Sequence, residues 1–196
     1  MNNYYNENAT SFFNDTVNVD MSSLYSKFTP LVKAHGSILD AGCGSARDSL
    51  YFKTKGFNVH SFDASEVLAE KASQLLQQNV EVTTFQEFQS SIQFDGIWAC
   101  ASLLHVPKEE LANSIANLAK YLKVTGVFYM SFKYGNTERQ HNGRNFTDVN
   151  ETVLAELLKN IPELTLKDTW ITGDARPGRD AEKWLNVLLI KRDKYS

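Results

Sequence analysis

Along the chain, short apolar and β-branched runs alternate with stretches whose apolar positions recur every three to four residues, the periods of strand and helix. The first run, Ser37-Ile38-Leu39-Asp40, is followed by a helical pattern from about Arg47 to Lys55 and a second run, Asn58-Val59-His60-Ser61-Phe62. The pattern then predicts a helix from about Glu66 to Gln78, strands over Val80–Phe85 and Phe94–Ala101, and a helix over Lys108–Leu122. Gly56 and Gly126 each follow a periodic stretch, where a left-handed glycine ends a helix. A strand at Val127–Phe132, a polar loop rich in Gly and Asn, and a helix over Val149–Lys159 come next. Two last strands, near Leu164–Ile171 and Trp184–Ile190, have no room for a helix between them and therefore pair antiparallel. The expected class is α/β, with a mostly parallel seven-stranded sheet, its last strand antiparallel, between two layers of helix.

A length of 196 residues suits one domain, and 42% hydrophobic with 22% charged residues is the balance of a folded globular chain. Residues 35–196 form the expected domain. Residues 1–34, rich in Asn and aromatics (Tyr4, Tyr5, Phe12, Phe13, Tyr25, Phe28), precede the first strand and are expected to cap the sheet's edge or mouth. No apolar run is long enough for a bilayer and the polar start is no signal peptide, so a cytoplasmic protein is expected. Cys43 and Cys100 form neither a metal-ligand spacing nor a disulfide framework, which suits a reducing compartment. A net charge of −3 without charge blocks argues against bulk nucleic-acid binding. No metal site is indicated, and the oligomeric state is not legible.

The sharpest motif is Ile38-Leu39-Asp40-Ala41-Gly42-Cys43-Gly44-Ser45-Ala46-Arg47-Asp48, a strand running into a glycine turn that opens a helix. Such a turn sets backbone N–H groups and a helix N-terminus at the mouth of an open α/β sheet, where Gly42 and Gly44 allow close approach of a ligand. Asp63 ends the next strand, 19 residues beyond Gly44, where a carboxylate can accept from both hydroxyls of a ribose. A dinucleotide fold would want Gly or Ala where Arg47 stands and no acid just before the glycines. Asp40 fits either a cofactor role or hydrogen bonding to the backbone of its own turn.

These residues, with Phe94-Asp95-Gly96-Ile97-Trp98-Ala99-Cys100-Ala101-Ser102-Leu103-Leu104-His105-Val106-Pro107 and the Leu122-Lys123-x-x-Gly126-Val127-Phe128 turn, resemble the successive motifs of class I S-adenosylmethionine-dependent methyltransferases. The resemblance covers about residues 35–133 and is nearest to the small bacterial tellurite-resistance-like subgroup, a label that says little about substrate. It implies a three-layer Rossmann-like sandwich with S-adenosyl-L-methionine as cofactor. By this resemblance Gly42 and Gly44 approach the amino-acid part of the cofactor, Asp63 holds the ribose and Ala64 flanks the adenosine, with Asp40, Ala41, Cys43 and Ser65 among the cofactor-binding residues. Gln86, Glu87 and Phe88 stand where the family borders adenine, and Ala101, Ser102 and Leu103 floor the sulfonium. The family's usual acid after the third strand has no obvious counterpart here unless Glu87 fills it.

The loops after strands five and six meet at the same mouth and carry Arg144, Arg176 and Arg179, whose guanidinium forks match a carboxylate or other oxyanion. A small anionic acceptor is the expected substrate. The competing reading pairs the arginines with Asp174, Asp180 and Glu182. His105, Tyr5 and His141 are the candidate bases, His105 also fitting a structural role. Outside small-molecule methyl transfer, the alternatives are a non-catalytic S-adenosylmethionine-binding regulatory module and a nicotinamide-dependent oxidoreductase.

Overall fold

In the computed structural model, which describes residues 2–176, 178–179 and 181–193, the alternation of runs becomes one sheet. Strands β1 (Ser37–Ala41), β2 (Asn58–Asp63), β3 (Glu81–Val82), β4 (Phe94–Ala99), β5 (Leu122–Lys133), β8 (Leu164–Gly173) and β9 (Lys183–Lys191) take the order β3-β2-β1-β4-β5-β9-β8. The pairs β1–β2, β1–β4, β2–β3 and β4–β5 are parallel, and β9 runs antiparallel between β5 and β8. The expected seven-stranded α/β architecture is therefore present. Strand order reverses between β1 and β4, which opens a crevice at their carboxyl ends.

Helices α2 (Ser22–Phe28) and α3 (Arg47–Thr54) cover one face, with α4 (Glu66–Leu76) beside α3, and α5 (Lys108–Ala119) and α6 (Glu151–Lys159) cover the other. The pleat sends alternate residues into the two layers: Ile38, Trp98, Val127 and Tyr129 toward α2 and α3, and Leu39, Ile97, Phe128 and Met130 toward α5 and α6. Trp98 and Tyr129, both fully buried, stack at 3.9 Å. Side chains of this size contribute about 1.5–3 kcal/mol each through burial. Ser65 caps α4 by accepting from the Leu68 amide, and Asn150 caps α6 by accepting from Val153, contacts worth about 1 kcal/mol each. Gly56, at φ +84°, follows the end of α3 as expected.

Several local expectations are corrected. Gly126 ends no helix: it lies inside β5, α5 having stopped at Ala119, and Thr125 carries the positive φ. The run Val80–Phe85 pairs only over Glu81–Val82, because both strand residues are exposed and no further strand covers that edge. The polar segment after β5 is a hairpin, β6 (Glu138–His141) with β7 (Arg144–Thr147), turned at Asn142-Gly143 with φ of 51° and 71°. The first residues form α1 (Asn2–Thr16) and α2, a helical arrangement their composition gave no sign of.

Candidate cofactor and acceptor site

Strand β1 ends on Ala41, and the chain then turns through left-handed backbone at Gly42 (φ +75°), Gly44 (+55°) and Ala46 (+60°) before entering α3. A Cβ on Gly42 would come within 2.7 Å of the Ser102 Cβ, so two segments meet with only a hydrogen atom between them. The amides of the turn do not face outward as expected. Those of Gly42 and Cys43 donate to the Phe62 carbonyl at 3.0 and 2.9 Å, that of Gly44 to Asp63 Oδ2 at 2.8 Å, and that of Ala46 to the Cys43 carbonyl at 2.9 Å.

Asp63 also accepts from the Ser65 amide at 2.9 Å, with the Ala64 amide as a further backbone donor, so its carboxylate ties the second strand to the turn and is not filled by these donors. Burial pushes its pKa up, against the backbone donors that favour the charge. Asp40 accepts from the Ser49 hydroxyl at 2.5 Å rather than from its own turn, and Ser49 bonds Ser61 at 2.8 Å. Buried beside Asp48, the Asp40 carboxyl is held well above the usual carboxylate range. Asp48 is buried too, but donors outweigh the desolvation: Arg47 Nε and Nη2 at 2.7 and 3.0 Å, the Tyr25 hydroxyl at 2.5 Å and Trp98 Nε1 at 2.8 Å.

A cavity of about 660 Å³ opens beside this turn, lined by Gly42, Cys43, Gly44, Ser45, Arg47, Cys100 and Ala101 at one end and by His105, Lys133, Arg144, Phe146, Arg176 and Trp184 at the other. Helix α1 crosses its mouth. Phe12 stands 3.1 Å from where a Gly44 Cβ would be, Thr16 Oγ1 bonds Ser45 Oγ at 3.0 Å, and the Ser65 hydroxyl donates to Asn6 at 2.6 Å. Asp63, Ala64, Ser65, Ser102 and Leu103 stand behind the wall, outside the cavity lining. Leu103 is fully buried core, and Ser102 donates to the Ala41 carbonyl at 2.7 Å.

The segment expected at the adenine divides. Gln86 and Glu87 are exposed and bond Glu110 and Thr84, while Phe88 is buried and stacks on Phe62 at 4.8 Å. Phe85 reaches the turn, 3.1 Å from the position of a Gly42 Cβ. The apolar alternation of Phe85 and Phe88 gave no way to choose between them.

At the far end, His105 Nδ1 lies 2.9 Å from the Asn145 carbonyl, which only accepts, so Nδ1 carries the hydrogen and Nε2 the lone pair. That lone pair accepts from the Tyr5 hydroxyl at 2.6 Å. Burial pushes the His105 imidazole down to about 4, with Arg144 and Lys133 adding to the fall and the Asn145 carbonyl opposing it. His141 is exposed beside the hairpin turn at the cavity rim. The three arginines divide. Arg176 donates to both oxygens of Asp174 at 2.9 and 2.6 Å, and Arg179 lies 3.6 Å from Glu182, itself 2.7 Å from Lys133. Asp180 lies outside the described residues. Among the described residues Arg144 pairs with no carboxylate: its guanidinium sits 4.0 Å from the Tyr4 ring centre and 5.0 Å from that of Phe146, and its buried Nε has no hydrogen-bond partner there. Both cysteines line the cavity, their thiols pushed up by burial, Cys100 to about 12.

Residues 38–126 match the methyltransferase domain family. The matched segment is similar to that domain over a little under half of the chain. It carries the glycine turn, Asp63 and the strand leading to Ala101, while the hairpin and both arginine loops lie beyond it. Its fold is that of S-adenosylmethionine-dependent methyltransferases. The 1,6-didemethyltoxoflavin-N1-methyltransferase of Burkholderia thailandensis, solved with 1,6-didemethyltoxoflavin and S-adenosylhomocysteine, is similar at TM-score 0.79 and 22% identity over 97% of this chain and 85% of that one. Magnesium protoporphyrin IX methyltransferase of Synechocystis, with bound S-adenosylmethionine, gives 0.72 and 16% over 97% and 94%. An S-adenosylmethionine-dependent methyltransferase of Clostridium acetobutylicum gives 0.70 and 14% over 97% and 100%. No curated protein sequence matches the chain significantly. Among the described residues, no helix is long and apolar enough to cross a membrane, and no group of three or more His, Cys, Asp or Glu could hold a metal ion.

Proposed function

We propose that this chain methylates a small, flat acceptor bearing one acidic group, with S-adenosyl-L-methionine as donor. The carrying observation is Arg144, a guanidinium with aromatic rings around it and no carboxylate partner among the described residues, in the same cavity as the glycine turn. Bound S-adenosylmethionine supplies an electrophilic methyl on a sulfonium. The chain's own task is to hold a nucleophile in line and to exclude water. The cavity residues fit that cofactor: the turn admits close approach, Arg47 supplies a cation, and Asp63 keeps lone pairs for ribose hydroxyls just behind the wall. We assign α1 the part of a lid, since its Asn6–Ser65 and Thr16–Ser45 bonds cross the path to Asp63.

Basicity favours an acceptor that arrives already ionised. Taking a proton from a group of ordinary neutral pKa onto an imidazole at about 4 is uphill by about 4 kcal/mol, at 1.36 kcal/mol per unit. His105 therefore serves to hold Tyr5 rather than to deprotonate, and Arg144 receives the anion. Arg176 and Arg179, engaged by Asp174 and Glu182, shape the rim. The 1,6-didemethyltoxoflavin bound to the Burkholderia enzyme supports a small-molecule acceptor. The motif resemblance to tellurite-resistance-like methyltransferases fixes no acceptor by itself. Two free cysteines in the cavity wall suit a reducing, cytoplasmic setting.

The test is transfer from methyl-labelled S-adenosylmethionine to a panel of heteroaromatic and phenolic acids, run beside inorganic oxyanions and neutral analogues. Label should move to flat acids and spare their neutral esters. Tight S-adenosylhomocysteine binding without transfer to any panel member or to a cell extract would favour the regulatory-module reading and overturn this one.

A further inference from the structure

The two edges of the sheet are finished differently. At the β3 edge only Glu81 and Val82 pair, and the Gln78 side-chain amide covers the free part of β2 by donating to the Val59 carbonyl at 2.9 Å. The opposite edge, β8, runs ten residues from Leu164 to Gly173, and among the described residues β9 is the one strand beside it. The outward N–H and C=O groups of such an edge are a template for a further strand. Leu166 and Ile171 on this strand are each 46% exposed. Separated by an odd number of positions, they would face opposite sides of a regular strand. The bulge between Leu166 and Asp168 cancels that offset: Leu166 stands opposite Leu189 and Ile171 opposite Leu185, both core residues of the α5–α6 side, so the two exposed side chains share that face. On the α2 face, Lys27 joins Asp168 to Trp170, lying 3.2 Å from Asp168 Oδ2 and 4.4 Å from the Trp170 ring centre.

We propose that β8 is the contact of a symmetric homodimer, two copies pairing antiparallel, edge to edge, about a two-fold axis at Thr169. That register is self-complementary on both faces. Outward from the Thr169 pair, Asp168 meets the partner's Trp170, and beyond it the bulged Leu166 and Lys167 meet the partner's Ile171. On the α5–α6 face the exposed Leu166 and Ile171 then cover each other across the axis. On the α2 face each Lys27, already over its own Trp170, comes beside the partner's Asp168, so that two ammonium groups and two carboxylates alternate. Centring the axis one residue earlier would oppose Asp168 to its own copy, a like-charge pair, and one residue later would set the bulge against Gly173. The bulge and Lys167, devices that often blunt an edge, here align the apolar pair instead.

The experiment is sedimentation velocity of the full chain over a hundredfold concentration range. The expected species is a dimer that grows no further, because the two-fold pairing uses up both β8 edges. Ile171→Lys sets a charge against the partner's Leu166 and should weaken the dimer roughly tenfold or more at an unchanged melting temperature. Leu166→Lys stands in if that variant fails to fold. Thr169→Cys reads the register: directly opposed Cα atoms lie about 4.5–5.5 Å apart, within the span of a disulfide, so mild oxidation should cross-link this variant to itself. Ile171→Cys, whose copies stand well apart along the paired strands, should stay reduced. A monomer throughout the range, growth beyond a dimer, a dimer unweakened by both lysine variants, or a dimer in which Thr169→Cys fails to cross-link would each overturn the proposal.

Discussion

The Tyr5 hydroxyl lies 2.6 Å from His105 Nε2, across a separation of 100 residues. The lone pair that would make His105 a base is therefore already used by a second candidate base, and the pair acts as one unit joining α1 to the end of β4. Their rings also meet edge to face at 5.5 Å.

Tyr5→Phe removes this bond and keeps the ring contact. Stability should fall by only about 0.5–1.5 kcal/mol, the net worth of one hydrogen bond. The larger effect should be on α1, whose amides should exchange hydrogen several-fold faster while those of β1 and β4 stay unchanged. Equal protection of α1 in both proteins would mean that Tyr5 latches nothing.

His105 should make the fold acid-sensitive. Its pKa is about 4 in the fold against about 6.5 for the free side chain, so the unfolded chain binds more protons between those values. The contribution is fully present above about 6.5 and is lost as pH falls toward 4, amounting to about 2 kcal/mol between pH 8 and 5. Asp40 slopes the other way: its raised pKa keeps it protonated in the fold, so its contribution is present at acid pH and is lost as pH rises. The comparison therefore needs His105→Asn, which keeps a donor near the Asn145 carbonyl. Denaturant titrations at several pH values should show wild type losing about 2 kcal/mol more than this variant on acidification.

The arginines should separate in the same assay. Arg144→Lys keeps charge and loses the planar fork, so kcat/KM for an ionised acceptor should fall roughly ten- to hundredfold. Arg176→Lys and Arg179→Lys should stay within about threefold, because each replaces a guanidinium already facing a carboxylate at the rim. Equal losses at Arg144 and Arg176 would restore a three-arginine clamp.

Gly42 and Gly44 differ in what surrounds them. Alanine at either pays the left-handed backbone penalty, about 1–2 kcal/mol. At Gly42 the new methyl also meets Ser102 Cβ at 2.7 Å, whereas at Gly44 it meets the Phe12 ring at 3.1 Å, on a helix that can shift. Gly42→Ala should therefore be the less stable protein by 1 kcal/mol or more, on the order of an overpacked core site, as read by urea denaturation.

The strand–turn–helix around Gly42 was legible because its determinants are local: an apolar run, two glycines and a periodic helix within a few residues. The β6–β7 hairpin was not read, since β6 is exposed throughout and shows no alternation. Its one local sign was Asn142-Gly143, the dipeptide that prefers two successive positive φ values. Helix α1 is built of Asn and aromatic residues rather than strong helix formers, so its helicity comes from docking across the mouth rather than from propensity. Arg47 stood in plain view as a departure from a dinucleotide fingerprint. Its link to Asp48 could be suspected from adjacency, but the grip of Tyr25 and Trp98 on Asp48 joins residues 23 and 50 positions apart. The division of the arginines depends on side-chain partners that no spacing specifies.

The hairpin is joined to the sheet at a narrow waist, where the Asp148 amide bonds the Thr137 carbonyl and the Val149 amide bonds that of Lys133. It carries Arg144, and it is stitched to the neighbouring chain by Thr147 Oγ1 and Asn145 Nδ2 on the Val106 carbonyl and by Glu138 on the Lys108 amide. None of those attachments touches the glycine turn or Asp63. Residues 134–148 therefore have the character of an exchangeable cassette: on the proposed reading of Arg144, a different hairpin on the same waist would present a different group to the acceptor and leave the glycine turn as it is, a change of about fifteen residues.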